Sequence, residues 1–320
     1  MSDYVVLVAD HNFENLETER RAFEGIARVE ELGDAADEAA ALARADAVLV
    51  RMHDLGADRV AQMDNCRVIS RYGIGVDHID VETATEKGIY VANAPTYCME
   101  EVSLHTVALL LNFARRLSEY DDLMAAGGWK SVDMFAESPI HRFSEQTVGV
   151  VGFGRIGRTV GEKITALGGS VVVADPYLDA GDLADVDAEL VDFDDLLAQS
   201  DYVTVHSPLT DETRGLFDAD AFAAMKDTAI LVNASRGPIV DTDALVDALD
   251  AGELAGAGID VYPEEPPAET DPIRGHDRVV ATPHVAYYSE QADVERREQA
   301  IENVRAALDG ERPPFALNDV

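Results

Sequence analysis

Arg236, Glu265 and His284 each stand just past a short apolar run in a chain of 320 residues. They occur in Leu231-Val-Asn-Ala-Ser-Arg236, Asp260-Val-Tyr-Pro-Glu-Glu265-Pro266 and Ala281-Thr-Pro-His284. Open α/β sheets hold their ligands at the carboxyl ends of strands. A guanidinium placed there can clamp a carboxylate through a two-pronged hydrogen-bond pair. A carboxylate beside an imidazole stabilises the imidazolium form, so Glu265 and His284 together could deliver a proton near neutral pH. The chemistry these three suggest is proton transfer to a small acid held by Arg236. Taken singly, each has an ordinary explanation: a surface ion pair for Arg236, a satisfied loop histidine for His284, a solvated acid for Glu265.

Upstream, Thr147-Val-Gly-Val-Val-Gly152-Phe-Gly154-Arg155-Ile156-Gly157 is a strand pattern running into G-x-G-x-x-G. Asp175, 18 residues beyond Gly157, closes the next apolar run, Ser170-Val-Val-Val-Ala. Gly152 permits a tight turn and Gly154 lets the backbone approach a pyrophosphate. Gly157 lets the following helix pack on the strand with its amino end facing the phosphates. Asp175 is placed to accept hydrogen bonds from the adenosine ribose hydroxyls. Strand, glycines, helix, strand and acid occur in that order, which an isolated glycine turn does not supply.

These residues need strands and helices to position them, and the chain has the grammar for both. Tyr4 to Ala9, Ala47 to Val50, Arg67 to Ser70 and Ile89 to Ala92 read as strands alternating with helical segments, the mark of a parallel sheet. Val102, Leu104, Val107, Ala108, Leu110, Leu111 and Ala114 recur at helical spacing, predicting one long helix from Glu101 to about Ala126, ended by Gly127-Gly128. A less regular stretch runs from Trp129 to Ser144. Further strands are predicted at Tyr202 to Val205, Ala229 to Asn233, Ala257 to Asp260 and Val279 to Thr282. With the two opening strands they make a doubly wound sheet of about six. A charged helical pattern from Ser289 to Leu308 follows the last strand and is expected to return to the first domain. The expected division is therefore residues 1–100 with 287–320 as a discontinuous substrate-binding domain, and 101–286 as the dinucleotide-binding domain.

Sixty-two acids against 25 bases give a formal charge of −37, and only four of the bases are Lys. Nucleic acid would be repelled. Near molar salt the Debye length falls to about 3 Å and the self-repulsion is screened, so the composition reads as that of a protein from a salt-rich cytoplasm. Cys66 and Cys98 have no C-x-x-C or metal-site neighbours, and the histidines show no metal spacing, so neither disulfide nor metal is expected. No basic leader and no membrane-length apolar run is present, which predicts a cytoplasmic protein without membrane association.

Together the motifs resemble the D-isomer-specific 2-hydroxyacid dehydrogenases over essentially the whole chain. Tyr72-Gly73-Ile74-Gly75-Val76-Asp77-His-Ile-Asp80 resembles the family's substrate loop and Asn93-Ala-Pro95 the segment before its interdomain helix. His206-Ser207-Pro208-Leu-Thr210 with Thr213-Arg-Gly resembles the cofactor-side loop. Asn233-Ala-Ser-Arg236-Gly237, Asp260-Val with Glu265-Pro266, and Pro283-His284 resemble the catalytic blocks. The resemblance implies a Rossmann NAD(P)-binding domain inserted into a flavodoxin-like domain, both doubly wound parallel α/β sheets.

It also implies residue roles: His284 as general acid/base, Glu265 as its partner, and Arg236 orienting the substrate carboxylate and polarising the 2-oxo group. Asp260 would hold the nicotinamide carboxamide. Arg155, Ile156, His206, Ser207, Pro208, Thr213, Ala234, Ser235 and Ala286 would join the fingerprint glycines and Asp175 around the cofactor. The amides of Ile74 and Gly75 would bind the substrate carboxylate. Met52, Tyr72 and Tyr97 either line the substrate side-chain pocket or pack in the core, and His105 reads as a packing or domain-interface residue. Closure is expected about Glu100 and Ala286, and a homodimer through the helix from Glu101 and the arm around Trp129.

Two departures stand out. Leu104 replaces the acid usual before the helix histidine, and Glu145-Gln146 replaces a common Gly-Lys pair. Asp175 favours NAD, while salt screening leaves NADP open. The expected reaction is reduction of 2-oxo acids to D-2-hydroxy acids. A glyoxylate or hydroxypyruvate reductase and a phosphoglycerate-type dehydrogenase are the enzymatic alternatives, and Met52 beside Arg51 ranks the latter lower. An NAD(H)-sensing binding protein on the same scaffold is the non-enzymatic one.

Overall fold

The computed structural model describes residues 4–131 and 139–320. The chain forms two compact units, Met1–Cys98 with Ser289–Val320, and Met99–Tyr288. In the first, five parallel strands are β1 (Tyr4–Val8), β2 (Ala27–Glu31), β3 (Ala47–Val50), β4 (Val68–Arg71) and β5 (Tyr90–Ala92). They stand in the order β2-β1-β3-β4-β5, the flavodoxin-like doubly wound arrangement. All four residues of β3, Ala-Val-Leu-Val, are buried, as a strand covered on both faces requires.

The helix Glu290–Leu308, capped by Ser289 whose side chain accepts from the Ala292 amide, packs on β4. Ser70 Oγ donates to the Ala300 carbonyl at 3.1 Å and Asn303 Nδ2 to the Asn93 carbonyl at 2.9 Å. Tyr72 belongs to this core: it is buried, and its hydroxyl donates to Glu19 Oε1 at 3.1 Å. Arg297 pairs with the same buried carboxylate.

The second unit carries seven parallel strands: β6 (Thr147–Val151), β7 (Ser170–Ala174), β8 (Glu189–Leu190), β9 (Tyr202–Val205), β10 (Ile230–Asn233), β11 (Gly256–Ile259) and β12 (Val279–Ala281). Their order is β12-β11-β10-β9-β6-β7-β8. It reverses direction between β6 and β9, which opens a crevice at the carboxyl ends of these two strands. The strand beyond the expected six is β8, only two residues long.

The single long helix expected from Glu101 is instead two, Met99–Arg115 and Leu117–Ala125. Arg116 between them is left-handed with φ 53°, and Asn112 Oδ1 caps the second helix by accepting from Ser118 N at 3.1 Å. An apolar stripe at helical spacing does not register one residue out of helical geometry. Of the stretch Trp129 to Ser144, residues 132–138 lie outside the described part. No helix among the described residues is long and apolar enough to cross a membrane.

Candidate active site

The ends of β10, β11 and β12, neighbours in the sheet, carry the three groups. Asn233 closes β10 and folds the next turn on itself: its Oδ1 accepts from Ser235 N at 3.0 Å and its Nδ2 donates to the Arg236 carbonyl at 2.9 Å. Arg236 follows, half-buried, with Nη1 donating to the Ser235 carbonyl at 2.7 Å. A Cβ on Gly237 would lie 2.0 Å from the Tyr262 carbonyl carbon. The Arg236 turn therefore presses backbone to backbone on the loop that carries Glu265. That loop orients its acid at both oxygens: Oε1 accepts from Tyr262 N at 3.1 Å, and Oε2 meets His284 Nδ1 at 2.5 Å.

Burial pushes the Glu265 carboxyl up, but the His284 hydrogen bond and charge, the Tyr262 amide and the Arg236 charge outweigh it. The pKa therefore falls below the ordinary 4.5. A carboxyl depressed in the folded chain gives stability that is present above its unfolded pKa and lost as pH falls through the folded one. On acidification from about pH 6, the thermal-stability gap between wild type and Glu265→Gln is accordingly expected to hold at first and to close only below the ordinary carboxylate range. Melting curves across pH test this; a gap that closes well above that range would contradict an ionised Glu265.

His284 itself has φ 51°, the left-handed region. Its amide donates to the Asp260 carbonyl at 2.8 Å. Asp260 is fully buried, with Oδ1 accepting from Thr282 Oγ1 at 2.6 Å and Val285 N at 3.0 Å, and Oδ2 accepting from Ala286 N at 3.0 Å. These bonds give Asp260 a structural part beside the carboxamide contact that the resemblance implies. Its carboxylate is turned inward and ties both residues after His284 to the end of β11. The Ala286 amide donates to the same carboxylate and so helps anchor this loop.

The nucleotide fingerprint is built as its residue types require. Gly152 has φ 84°, and a side chain on it would meet Ser207 N at 2.7 Å. A Cβ on Gly157 would lie 2.2 Å from the Gly152 carbonyl oxygen, so the helix Arg155–Ala166, which includes Ile156, packs directly on the turn. Nothing stands within 4 Å of a Cβ on Gly154, which leaves the side a phosphate would approach open. Asp175 Oδ2 accepts from Phe153 N at 2.8 Å and Oδ1 from Tyr177 N at 3.0 Å, which fixes the carboxylate beside the glycine turn.

After β9, Thr213 Oγ1 donates to the Pro208 carbonyl at 2.6 Å, and Ser235 Oγ to the Ser207 carbonyl at 2.5 Å. The cofactor-side loop is thereby bound to the turn holding Ala234. His206 keeps partial exposure as a residue, but its Nε2 is buried with no hydrogen-bond partner among the described residues. Burial pushes its pKa down to about 4, so the ring is neutral. An orphaned nitrogen beside an open glycine turn fits a bound dinucleotide. No cluster of metal-ligating side chains is present among the described residues.

In the first unit, the Ile74 carbonyl accepts from Asn93 Nδ2 at 2.7 Å, which leaves the Ile74–Gly75 amides on a loop held from behind. Met52 is 42% exposed and its amide donates to Asp10 Oδ2 at 2.8 Å, whereas Tyr97 is buried. Arg71, which motif reading passed over, lies against this loop: Nη1 would be 1.9 Å from a Cβ on Gly73, and Nη2 donates to Met52 Sδ at 3.6 Å.

A sequence profile of the D-isomer specific 2-hydroxyacid dehydrogenase NAD binding domain matches residues 107–286, more than half of the chain. The chain belongs to this dehydrogenase family. Residues 107–286 form its pyridine-nucleotide-binding domain. D-3-phosphoglycerate dehydrogenase of Mycobacterium leprae is 40% identical over 280 residues, covering 87% of this chain and 52% of that protein. The chain thus spans about half the length of such relatives. Glyoxylate reductase of Thermofilum pendens is 37% identical, over 85% of this chain and 81% of its own. Among solved structures, D-lactate dehydrogenase from Aquifex aeolicus complexed with NAD and lactic acid is 28% identical with a TM-score of 0.86, covering 96% of each chain.

In this family member the candidate reactive groups sit in sequence motifs, whereas the groups that hold the loops around them do not. Thr282 and Tyr262 carry no reactive signature, yet Tyr262 OH also donates to the Thr282 carbonyl at 3.0 Å, joining the Glu265 loop to the His284 loop. The available signal is position: Tyr262 lies close before Glu265 in the chain, and Thr282 close before His284.

Proposed function

We propose that the chain reduces 2-oxo acids to D-2-hydroxy acids with NAD(P)H, and the His284–Glu265 pair at 2.5 Å beside the Arg236 turn carries the reading. The nicotinamide, when bound, supplies a hydride to C2. Arg236 orients the carboxylate and stabilises charge developing on the 2-oxo oxygen. With Nδ1 engaged by Glu265, His284 has Nε2 left to give the proton that completes the alcohol. Ile74 and Gly75 are proposed to bind the substrate carboxylate through their amides, with Met52 and Tyr97 beside them.

NAD is the preferred cofactor in this reading. A 2′-phosphate near Asp175 would also face Glu212, which Tyr177 OH holds at 3.1 Å. Arg158, on the helix that follows the glycine turn, is already committed to Asp185 and to the Asp182 carbonyl. The charge of −37 supports a salt-rich cytoplasm as the setting. Exposed Leu117, Met124 and Trp129 support a homodimer.

A survey of 2-oxo acids with NADH and NADPH at molar salt tests the reading. NADH is expected to give the higher kcat/KM by about tenfold, with a D product. Tight NADH binding without turnover of any 2-oxo acid would favour the binding-protein alternative instead.

Arg71 favours a second reading within the same chemistry, a substrate with another anionic group such as a phosphorylated 2-oxo acid. On that reading Arg71→Met raises KM for a phosphorylated 2-oxo acid about tenfold more than KM for pyruvate. Equal effects on both would exclude it.

A further inference from the structure

We infer that His105 is a positioning residue for His284, acting through Thr282 and Asp260; this rests on the reading of His284 as the proton donor. The helix Met99–Arg115 reaches β11 because two positions there lack side chains. A Cβ on Gly256 would meet Phe113 Cε1 at 2.9 Å, and one on Gly258 would meet Leu109 Cβ at 3.2 Å. His105, Leu109 and Phe113 are spaced by four and so share one helix face. Close seating of that face brings His105 Nε2 within 3.0 Å of Thr282 Oγ1 and 3.7 Å of Asp260 Oδ1. The ring is therefore tied to the strand ends of its own unit, where the sequence suggested a packing or domain-interface residue.

Donor and acceptor roles along this chain are forced. Each oxygen of Asp260 accepts from a backbone amide, Oδ1 from Val285 and Oδ2 from Ala286, so the carboxylate is the acceptor for Thr282 as well. Thr282 has one hydroxyl proton and spends it on Oδ1. Toward His105 it can only accept, so His105 Nε2 carries a hydrogen. The relay thus runs His105 Nε2–H to Thr282 Oγ1–H to Asp260, and Asp260 holds the amides of the two residues that follow His284. His284 needs such support because its left-handed backbone does not persist without surroundings that determine it. Removing the first donor leaves Thr282 Oγ1 short of a partner and lets its hydroxyl turn from Asp260. The loop then loosens at the residue whose ring must meet the substrate oxygen.

The test uses the full chain with NADH and its best 2-oxo acid, comparing wild type, His105→Leu and His105→Gln. A misplacement of the order of 1 Å lowers rates by up to about 100-fold. His105→Leu is expected to lose about tenfold or more in kcat with KM for both substrates little changed. His105→Gln, whose amide nitrogen can reach the position of Nε2–H, is expected to recover most of the loss. A purely structural role would lower the melting temperature and leave kcat per folded molecule intact, and that outcome overturns the proposal. So does a loss that Gln does not rescue.

Nitrogen-15 spectra of the ring give an answer independent of turnover. The relay requires a hydrogen on His105 Nε2, together with shifts of the Val285 and Ala286 amides in His105→Leu. If wild type reduced no 2-oxo acid, the assigned activity would be at fault, and the tautomer and amide shifts would still decide the relay.

Discussion

His284→Gln is expected to lower kcat for 2-oxo acid reduction by about 10²- to 10⁴-fold, the range for losing a positioned proton donor, while NADH binds as in wild type. Gln keeps a hydrogen-bonding group of similar reach but cannot release a proton near neutral pH. The half-buried Glu265 would retain its Tyr262 amide and Arg236's charge, so the loop is expected to keep its place. Single-turnover rates at saturating substrate, together with NADH titration, separate chemistry from binding. A near wild-type rate would remove His284 from the role of proton donor. A rate loss matched by loss of NADH affinity would show that the ring serves cofactor binding instead.

Gly237→Ala is the second large effect, and it arises in a residue with no chemistry. The added methyl would sit 2.0 Å from the Tyr262 carbonyl carbon, 2.3 Å from its oxygen and 2.4 Å from Pro263 N. All three are backbone atoms, so no flexible side chain can swing aside. One of the two loops must move, and Arg236 travels with one while Glu265 travels with the other. Overpacking of this kind costs about 1–3 kcal/mol, and displacement of the pair by about 1 Å costs up to 100-fold in rate. Both a lowered melting temperature and a lowered kcat are therefore expected. An alanine variant with wild-type kcat would mean that the backbone contact does not set the distance between Arg236 and Glu265.

How much of this was legible beforehand depended on whether a residue's type announces its environment. The β10 run Ile230-Leu-Val-Asn233 reads as a buried strand because every position is apolar or capping, and the structure buries all four. By contrast, Ala27-Arg-Val-Glu-Glu31 was invisible as β2. It is an edge strand with charged residues at three of its five positions, Glu30 accepting from both Arg28 and Arg44, so neither alternation nor apolar run marks it. The break at Arg116 escaped notice because a left-handed arginine leaves no trace in periodicity.

In the candidate site, Arg236, Glu265 and His284 stood out by type and by their place after strands. Asp260 was legible as important but not as buried: sequence shows that a carboxylate follows a strand, not which way it turns. Thr282, Tyr262 and His105 act through geometry alone. Their part emerges only once the ends of β11 and β12 and the helix Met99–Arg115 are brought side by side.

The left-handed backbone at His284 costs an L-residue that carries a Cβ about 1–2 kcal/mol relative to glycine. Asn or Gly would relax that torsion and discard the proposed proton donor with it. The position therefore sets two optima against each other, one for the lifetime of the fold and one for turnover. Selection of this chain for heat resistance alone would press on residue 284 as it would on Arg116, and at residue 284 its gain would come at the expense of the proposed proton donor.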